Sequence, residues 1–212
     1  VQVLQAANTG ITSLQKLVDT AKSIANQALQ TNSGYTTKSS VAYTGAGAGT
    51  GAATADDLTG GGGAGGSKLT GSAFVFTTEA GAKTITIDGT TVKSLADLNK
   101  ALSSNGVSLT ASLTGANELT FTSTNDSAGQ TITTATTAAA AGTITGDAIE
   151  ISIAAASATA GSVTAAVPDA VSQSNRASLV SQYNQILDQI KTTAQDSSFN
   201  GINLLNGDQL KL

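Results

Sequence analysis

Residues 1–32 read VQVLQAANTGITSLQKLVDTAKSIANQALQTN, and within them Leu4, Ala7, Ile11, Leu14, Val18, Ala21, Ala25 and Ala28 fall at steps of 3, 4, 3, 4, 3, 4 and 3. Such steps put apolar side chains on one face of an α-helix, and about four heptads of them make the seam of a coiled coil or helix bundle. Leu17 and Ile24 widen the seam, so the spacing predicts a helix that touches more than one neighbour. At 1.5 Å per residue the rod is about 45 Å long. Gly10 is its weak point, unfavourable by about 1 kcal/mol relative to Ala in a helix interior. Asn32, Ser33 and Gly34 supply a stop signal.

A second helical run lies near the other end. In residues 169–198, Val180, Tyr183, Leu187, Ile190 and Ala194 are spaced 3, 4, 3 and 4, with Leu179 and Ile186 alongside. Pro168 stands just outside the helix, where its fixed φ and missing N–H do no harm. Phe199-Asn200-Gly201 ends the run, and Ile202, Leu204 and Leu205 lead into Asn206-Gly207, a strong hairpin-turn signal. The packing residues read from the two stripes are Leu4, Ile11, Leu14, Val18, Val180, Tyr183, Leu187 and Ile190.

Residues 34–167 have no heptads and are rich in Thr, Gly and Ala. Residues 45–66 read as a mobile Gly-rich loop. Phe74-Val75-Phe76 and Thr84-Ile85-Thr86-Ile87 read as strands, followed by an Asp88-Gly89 turn. Leu95, Leu98 and Leu102 share one face of a short helix that Asn105-Gly106 stops. Residues 107–111 and 119–122 alternate as two half-buried strands about Gly115-Ala116-Asn117, completing a ββαββ unit over 73–123, and further strands are expected near Ile132 and at Ile149–Ile153. The expected fold class is thus α+β: two long antiparallel heptad-patterned helices with an inserted β-rich ββαββ-type outer module. The corresponding divisions are 1–33 (first helix), 34–167 (insert) and 168–212 (second helix and the start of a hairpin).

Composition excludes much. Of 212 residues, Ala, Gly and Thr number 36, 23 and 33, charged residues are 11% and aromatics 3%. With no Cys and no His, zinc, haem and iron–sulfur sites lose their usual ligands, and His-based acid–base schemes and Cys nucleophiles are gone. A net charge of -4 gives no basic footprint for nucleic acid. No run of 18 apolar residues exists to span a membrane. The opening Val-Gln-Val-Leu-Gln lacks an initiator Met and a signal-peptide n-region and reads as the middle of a helix, so a fragment of a longer chain is expected.

Three stretches invite chemistry. Gly65-Gly66-Ser67-Lys68 looks like a scrambled phosphate loop, but the order is Ser-Lys and no helix follows to seat a phosphate. Asp56-Asp57 lacks the alternating oxygen ligands of a calcium loop. Asn125-Asp126-Ser127 fits a glycosylation sequon, a match of low specificity. No catalytic, cofactor-binding or metal-ligating set is legible, and no enzyme and no cofactor are expected.

The run Phe199-Asn200-Gly201-Ile202-Asn203-Leu204-Leu205-Asn206-Gly207 resembles the F-N-G-x-x-L-L signature of bacterial flagellins, carried here by Phe199, Asn200, Gly201, Leu204 and Leu205. The helix Ser181–Ile190 is similar to that family's second N-terminal rod helix, and Leu14–Gln30 to its first. The stretches Ile87-Asp88-Gly89-Thr90 and Ser94-Leu95-Ala96-Asp97-Leu98 resemble, more weakly, a small repeat inserted in flagellins and filament-capping proteins. The resemblance implies an extracellular structural subunit of the bacterial flagellum that supports motility by helical self-assembly. Its implied partners are other flagellin subunits, with hook-associated and export proteins, and neither nucleic acid nor membrane. Flagellins usually carry their variable domain between the N- and C-terminal rod regions, whereas this chain inserts a module between the first two rod helices. The alternatives are a hook–filament junction or cap protein, or a flagellin-like surface adhesin or glycan binder.

Flagellins that activate Toll-like receptor 5 carry a motif resembling L-Q-R-V-R-E-L-A on the first rod helix. The matching run is Leu14-Gln15-Lys16-Leu17-Val18-Asp19-Thr20-Ala21. Lys16 and Val18 stand where the motif has Arg, and Thr20 where it has Leu, while Asp19 keeps the acid. Lys lacks the planar bidentate fork of Arg, so the resemblance implies weak or no recognition by that receptor.

Overall fold

A computed structural model describes residues 1–30, 33–47, 49–61, 65–154, 161–197, 203, 205 and 207. The chain divides into two compact units, one of Val1–Gly34 with Ala170–Leu212 and one of Tyr35–Asp169.

The first unit holds helices α1 (Gln2–Gln30) and α3 (Ala170–Asp196), which pack on each other. The contact combines small, buried residues with half-buried aliphatic ones. Ala7, Gly10 and Ala21 are the buried positions of α1, Leu14, Leu17 and Ile24 are half-buried, and α3 contributes half-buried Leu179, Ile186 and Ile190. A Cβ on Gly10 would strike the Ser197 side chain and lie 2.7 Å from Leu205 Cδ1. The residue that weakens the isolated helix is therefore the one that lets the neighbouring chain approach.

The second unit is β-rich. Strands β1 (Tyr35–Thr37), β2 (Ser40–Thr44), β3 (Ala73–Thr78) and β4 (Gly81–Thr86) precede helix α2 (Leu95–Ser104), followed by β5 (Leu109–Gly115), β6 (Glu118–Ser123), β7 (Thr131–Ala135), β8 (Ala148–Ile153), β9 (Ser162–Thr164) and β10 (Val167–Pro168). They form a two-stranded sheet β1-β10 and two four-stranded sheets, β5-β6-β2-β9 and β4-β3-β8-β7. All neighbours are antiparallel except β7 and β8, which are parallel. The two larger sheets share one core. Tyr43 and Phe121 from one meet Phe74 and Phe76 from the other, with edge-on ring contacts of 5.3 Å for Tyr43–Phe74 and 5.1 Å for Phe74–Phe121. Edge-to-face pairs of this kind contribute about 0.5–1.5 kcal/mol beyond their buried area. Burial pushes the Tyr43 hydroxyl pKa up, and that hydroxyl donates to the Ile151 carbonyl at 3.3 Å.

Helix α2 closes the same core through fully buried Leu98 and Leu102. Ser94 caps it: its hydroxyl accepts from the Asp97 amide at 3.0 Å while the Asp97 carboxylate accepts from the Ser94 amide at 3.0 Å. The Asn99 side chain then holds the backbone of β5, donating to the Ala111 carbonyl at 3.0 Å and accepting from its amide at 2.7 Å.

The expected fold class is corrected. Among the described residues the chain has three α-helices and ten strands in three sheets, arranged as an N-terminal helix, a β-rich domain and a C-terminal helix. This replaces two long antiparallel rod helices carrying a ββαββ module. The two hairpins of the supposed unit belong to different sheets: β3 pairs with β8 as well as β4, and β6 pairs with β2 as well as β5. Hairpin signals report only neighbours in sequence, and the second edge of each hairpin is completed by a strand far away along the chain.

The mobile-loop reading of residues 45–66 is corrected as well. Ala46, Ala53 and Leu58 are buried in the core of the β-rich unit. Backbone bonds join Gly51 N to Gly66 O at 2.5 Å, Ala53 N to Ala116 O at 2.7 Å and Leu58 N to Lys93 O at 2.7 Å. Gly47, Gly49 and Gly51 alternate with larger residues, and a Cβ on any of them would run into the backbone of residues 65–68. The glycines allow close backbone approach there. Residues 48 and 62–64 of the loop lie outside the described residues.

Candidate assembly surface

Each long helix carries two apolar stripes. The inner one makes the contact just described. On α1 the outer one is Leu4, Ile11 and Val18, one heptad apart, continued by Leu29; they are 56%, 43%, 39% and 83% exposed. On α3, Val180, Tyr183 and Leu187 are likewise exposed. Of the eight packing residues read from sequence, only Leu14 and Ile190 lie partly within a contact of this chain; the other six face solvent. The seven-residue period marked both stripes alike, because residues i, i+3 and i+4 span more of the helix circumference than one neighbour can cover. Exposed aliphatic side chains repeated along a helix are a surface suited to another helix.

Of the signature residues, Phe199, Asn200, Gly201 and Leu204 lie outside the described residues. Leu205 is half-buried beside Gly10. Asn203 was not singled out from sequence, yet it is buried and terminates α3. Its amide donates to the Ala194 and Gln195 carbonyls at 2.5 and 2.7 Å, and its oxygen accepts from the Leu205 amide at 3.1 Å. These last-turn carbonyls have no intrahelical partner, so the side chain supplies one. An Asn a few residues past the end of a heptad run was the available signal.

Lys16, Val18, Asp19 and Thr20, the degenerate receptor-motif positions, are all exposed on α1, and the Thr20 hydroxyl donates to the Lys16 carbonyl at 2.9 Å.

The stretches that invited chemistry are occupied by local structure. Ser67 is fully buried, its hydroxyl donating to the Leu58 carbonyl and accepting from the Leu69 amide, and the element that follows is strand β3. The Asp57 carboxylate accepts from the Thr59 hydroxyl and from the Thr59 and Gly61 amides, which holds its pKa below the usual carboxylate range. Asp56 is exposed. Asn125–Ser127 is a 3-10 turn in which Asn125 Oδ1 accepts from Lys38 Nζ at 3.3 Å. Among the described residues no three acidic side chains converge to hold a metal ion, and no helix is long and apolar enough to cross a membrane. No protein family, curated protein or solved structure matches the chain.

Proposed function

We propose that the chain is a structural subunit of a flagellin-type filament, displayed outside the cell and acting through self-assembly. The observation that carries the reading is the outer stripe of α1, where Leu4, Ile11 and Val18 stand exposed at heptad spacing beside the face already packed in this chain. Burying such aliphatic side chains against further helices contributes about 25 cal/mol per Å² of apolar area, repeated along every subunit of a polymer. The β-rich unit forms its own core and carries none of this stripe. The resemblance of residues 199–207 to the flagellin signature supports flagellin as the class of polymer. The exposed Lys16, Val18 and Thr20 then predict poor activation of Toll-like receptor 5.

The test is genetic. Cells whose gene for the chain is deleted lose their filaments in electron micrographs and regain them with the wild-type gene. An Ile11→Asp/Val18→Asp gene yields soluble protein and no filaments. Normal filaments on the deleted cells, or on cells carrying only the double variant, overturn the proposal.

A further inference from the structure

The sheet β5-β6-β2-β9 has one face in the core and one in solvent. Alternation puts Val41, Tyr43, Leu109, Ala111, Leu119 and Phe121 inward. The outward residues line up in register across the strands. Thr110, Thr122, Ser40 and Thr164 are successive cross-strand partners and form one row. Ser112, Thr120, Ala42 and Ser162 form the next. Glu118 and its partner Thr44 continue into a third row, which Thr114 joins by donating to Glu118 Oε1 at 2.6 Å. Only Ala42 and Glu118 lack a hydroxyl.

Among the residues of these rows the one charged side chain is Glu118, at the end of β6. Both Glu118 oxygens accept from threonines, Oε1 from Thr114 and Oε2 from Thr44 at 3.2 Å. The Lys38 ammonium, beyond the end of β2, donates to Asn125 Oδ1. A phosphate backbone or an anionic headgroup finds no cation in these rows. No aromatic side chain offers a sugar ring a stacking platform, since Tyr43 and Phe121 of these strands point into the core.

What remains is a stiff grid of hydroxyls and methyls with a single carboxylate in its last row. Rows and columns repeat at about 4.8 Å between strands and about 6.8 Å along them, over a patch roughly 14 Å in each direction. Threonine is rotamerically restricted in a strand, and a hydroxyl both donates and accepts, as a lattice water does; Thr44 and Thr114 already donate to Glu118 and Ser112 to the Thr120 carbonyl, so the row Thr110-Thr122-Ser40-Thr164 leads the contact. These repeats are close to those of the oxygen rows on hexagonal ice. Methyl groups between the hydroxyls exclude mobile water from the contact. We propose that this face adsorbs to ice, the array standing in for a layer of lattice water. The reading does not depend on filament assembly. The right-handed twist of a four-stranded sheet limits how many rows match at once, so the expected activity is inhibition of ice recrystallisation and not deep supercooling.

The test uses the whole 212-residue chain, labelled at its amino terminus and partitioned between growing ice and liquid, alongside a recrystallisation assay. The chain is expected to enrich in ice over an inert acidic protein and to keep ice grains small. Thr122→Lys, in the middle of the first row, abolishes both effects while circular dichroism stays unchanged. Thr84→Lys, on exposed β4 of the other sheet, leaves both intact. The proposal is overturned if the wild-type chain partitions like the inert protein, if Thr122→Lys enriches as well as wild type, or if Thr84→Lys removes activity equally. Capture by cellulose or chitin without enrichment in ice would overturn it in favour of a polysaccharide surface.

Discussion

Replacing Gly47 by Ala separates two physical pictures of the Gly-rich segment by the sign of one number. In a mobile linker the substitution restricts the unfolded chain and stabilises the fold by about 0.4–1 kcal/mol. In the structure, a Cβ at position 47 would run into the Lys68 carbonyl oxygen, lie 2.7 Å from its carbon and come within 3.1 Å of Ser72 Oγ. The obstacle is backbone, and Lys68 is flanked by anchors that do not yield easily: Ser67 is tied to Leu58, and Leu69 is fully buried. Either the segment 45–51 lifts, loosening the Gly51–Gly66 and Ala53–Ala116 bonds, or the carbonyl shifts and Leu69 leaves its place in the core. Overpacking of this kind costs about 3 kcal/mol, which for a domain of this size lowers the Tm by about 10 °C. The transition of the β-rich unit is followed by near-ultraviolet circular dichroism of its tyrosine and phenylalanine bands, since the chain has no Trp. Gly115→Ala is the control, because its Cβ would meet only Glu118 Cβ at an ordinary 3.6 Å. A Gly47→Ala protein as stable as wild type, or more so, would refute the packed arrangement of residues 45–68.

Three further outcomes are expected. The segment 35–169, produced alone, folds cooperatively, because it has its own core and its two ends are paired as β1 and β10; a protein without near-ultraviolet signal counts against this. Leu187→Asp leaves far-ultraviolet helicity intact in the isolated chain because the side chain is exposed, and a lost helix signal would show that the outer stripe is needed for folding. The Asp57, Asp88 and Asp97 carboxylates are held below their ordinary 3.8, chiefly by hydrogen bonds from the Thr59 hydroxyl, the Val92 amide and the Ser94 amide respectively. A lowered folded-state pKa gives stability that is present above the ordinary value and lost as pH falls through the folded one. Denaturant titrations should therefore show the β-rich unit weakening below about pH 4, with a shallower slope in Asp97→Asn; an unchanged slope would refute the assignment to Asp97.

Local signals were legible where one residue type has one local job. Leu95, Leu98 and Leu102 fix the inner face of α2, Asn105-Gly106 ends it, and alternation at 109–111 and 119–122 marks strands with one buried face. Partnership was not legible. Strand β2 contains Tyr43, a central core aromatic; Val41 and Tyr43 alternate there with Ser40, Ala42 and Thr44, but five residues beside a Gly-rich stretch do not say that β6 and β9 flank them. The Gly-rich stretch misled for a related reason. Low hydrophobicity usually means nothing to bury, but the period-two placement of Gly47, Gly49 and Gly51 is what a backbone pressed against another backbone requires.

The helices show the converse limit. A heptad pattern states that a face will be covered without stating by what. Leu14 and Leu17 are partly covered within this chain, while Leu4, Ile11 and Val18, at the same period, are not. Small residues decide between them. Ala7, Gly10 and Ala21 are the positions of α1 that are buried, and at Gly10 even a Cβ would meet the Ser197 and Leu205 side chains. Leu4, Ile11 and Val18 lie on the flank of that contact, where a second helix seats against them at ordinary spacing. Small residues beneath one contact and large aliphatics beside it are what a helix with two successive neighbours needs. By this reasoning Gly10→Leu should destroy the α1–α3 contact within the monomer, whereas Ile11→Asp should spare it and act only on assembly. Analytical ultracentrifugation with far-ultraviolet circular dichroism distinguishes them, and a folded, compact Gly10→Leu monomer would show that the inner and outer stripes have been assigned the wrong way round.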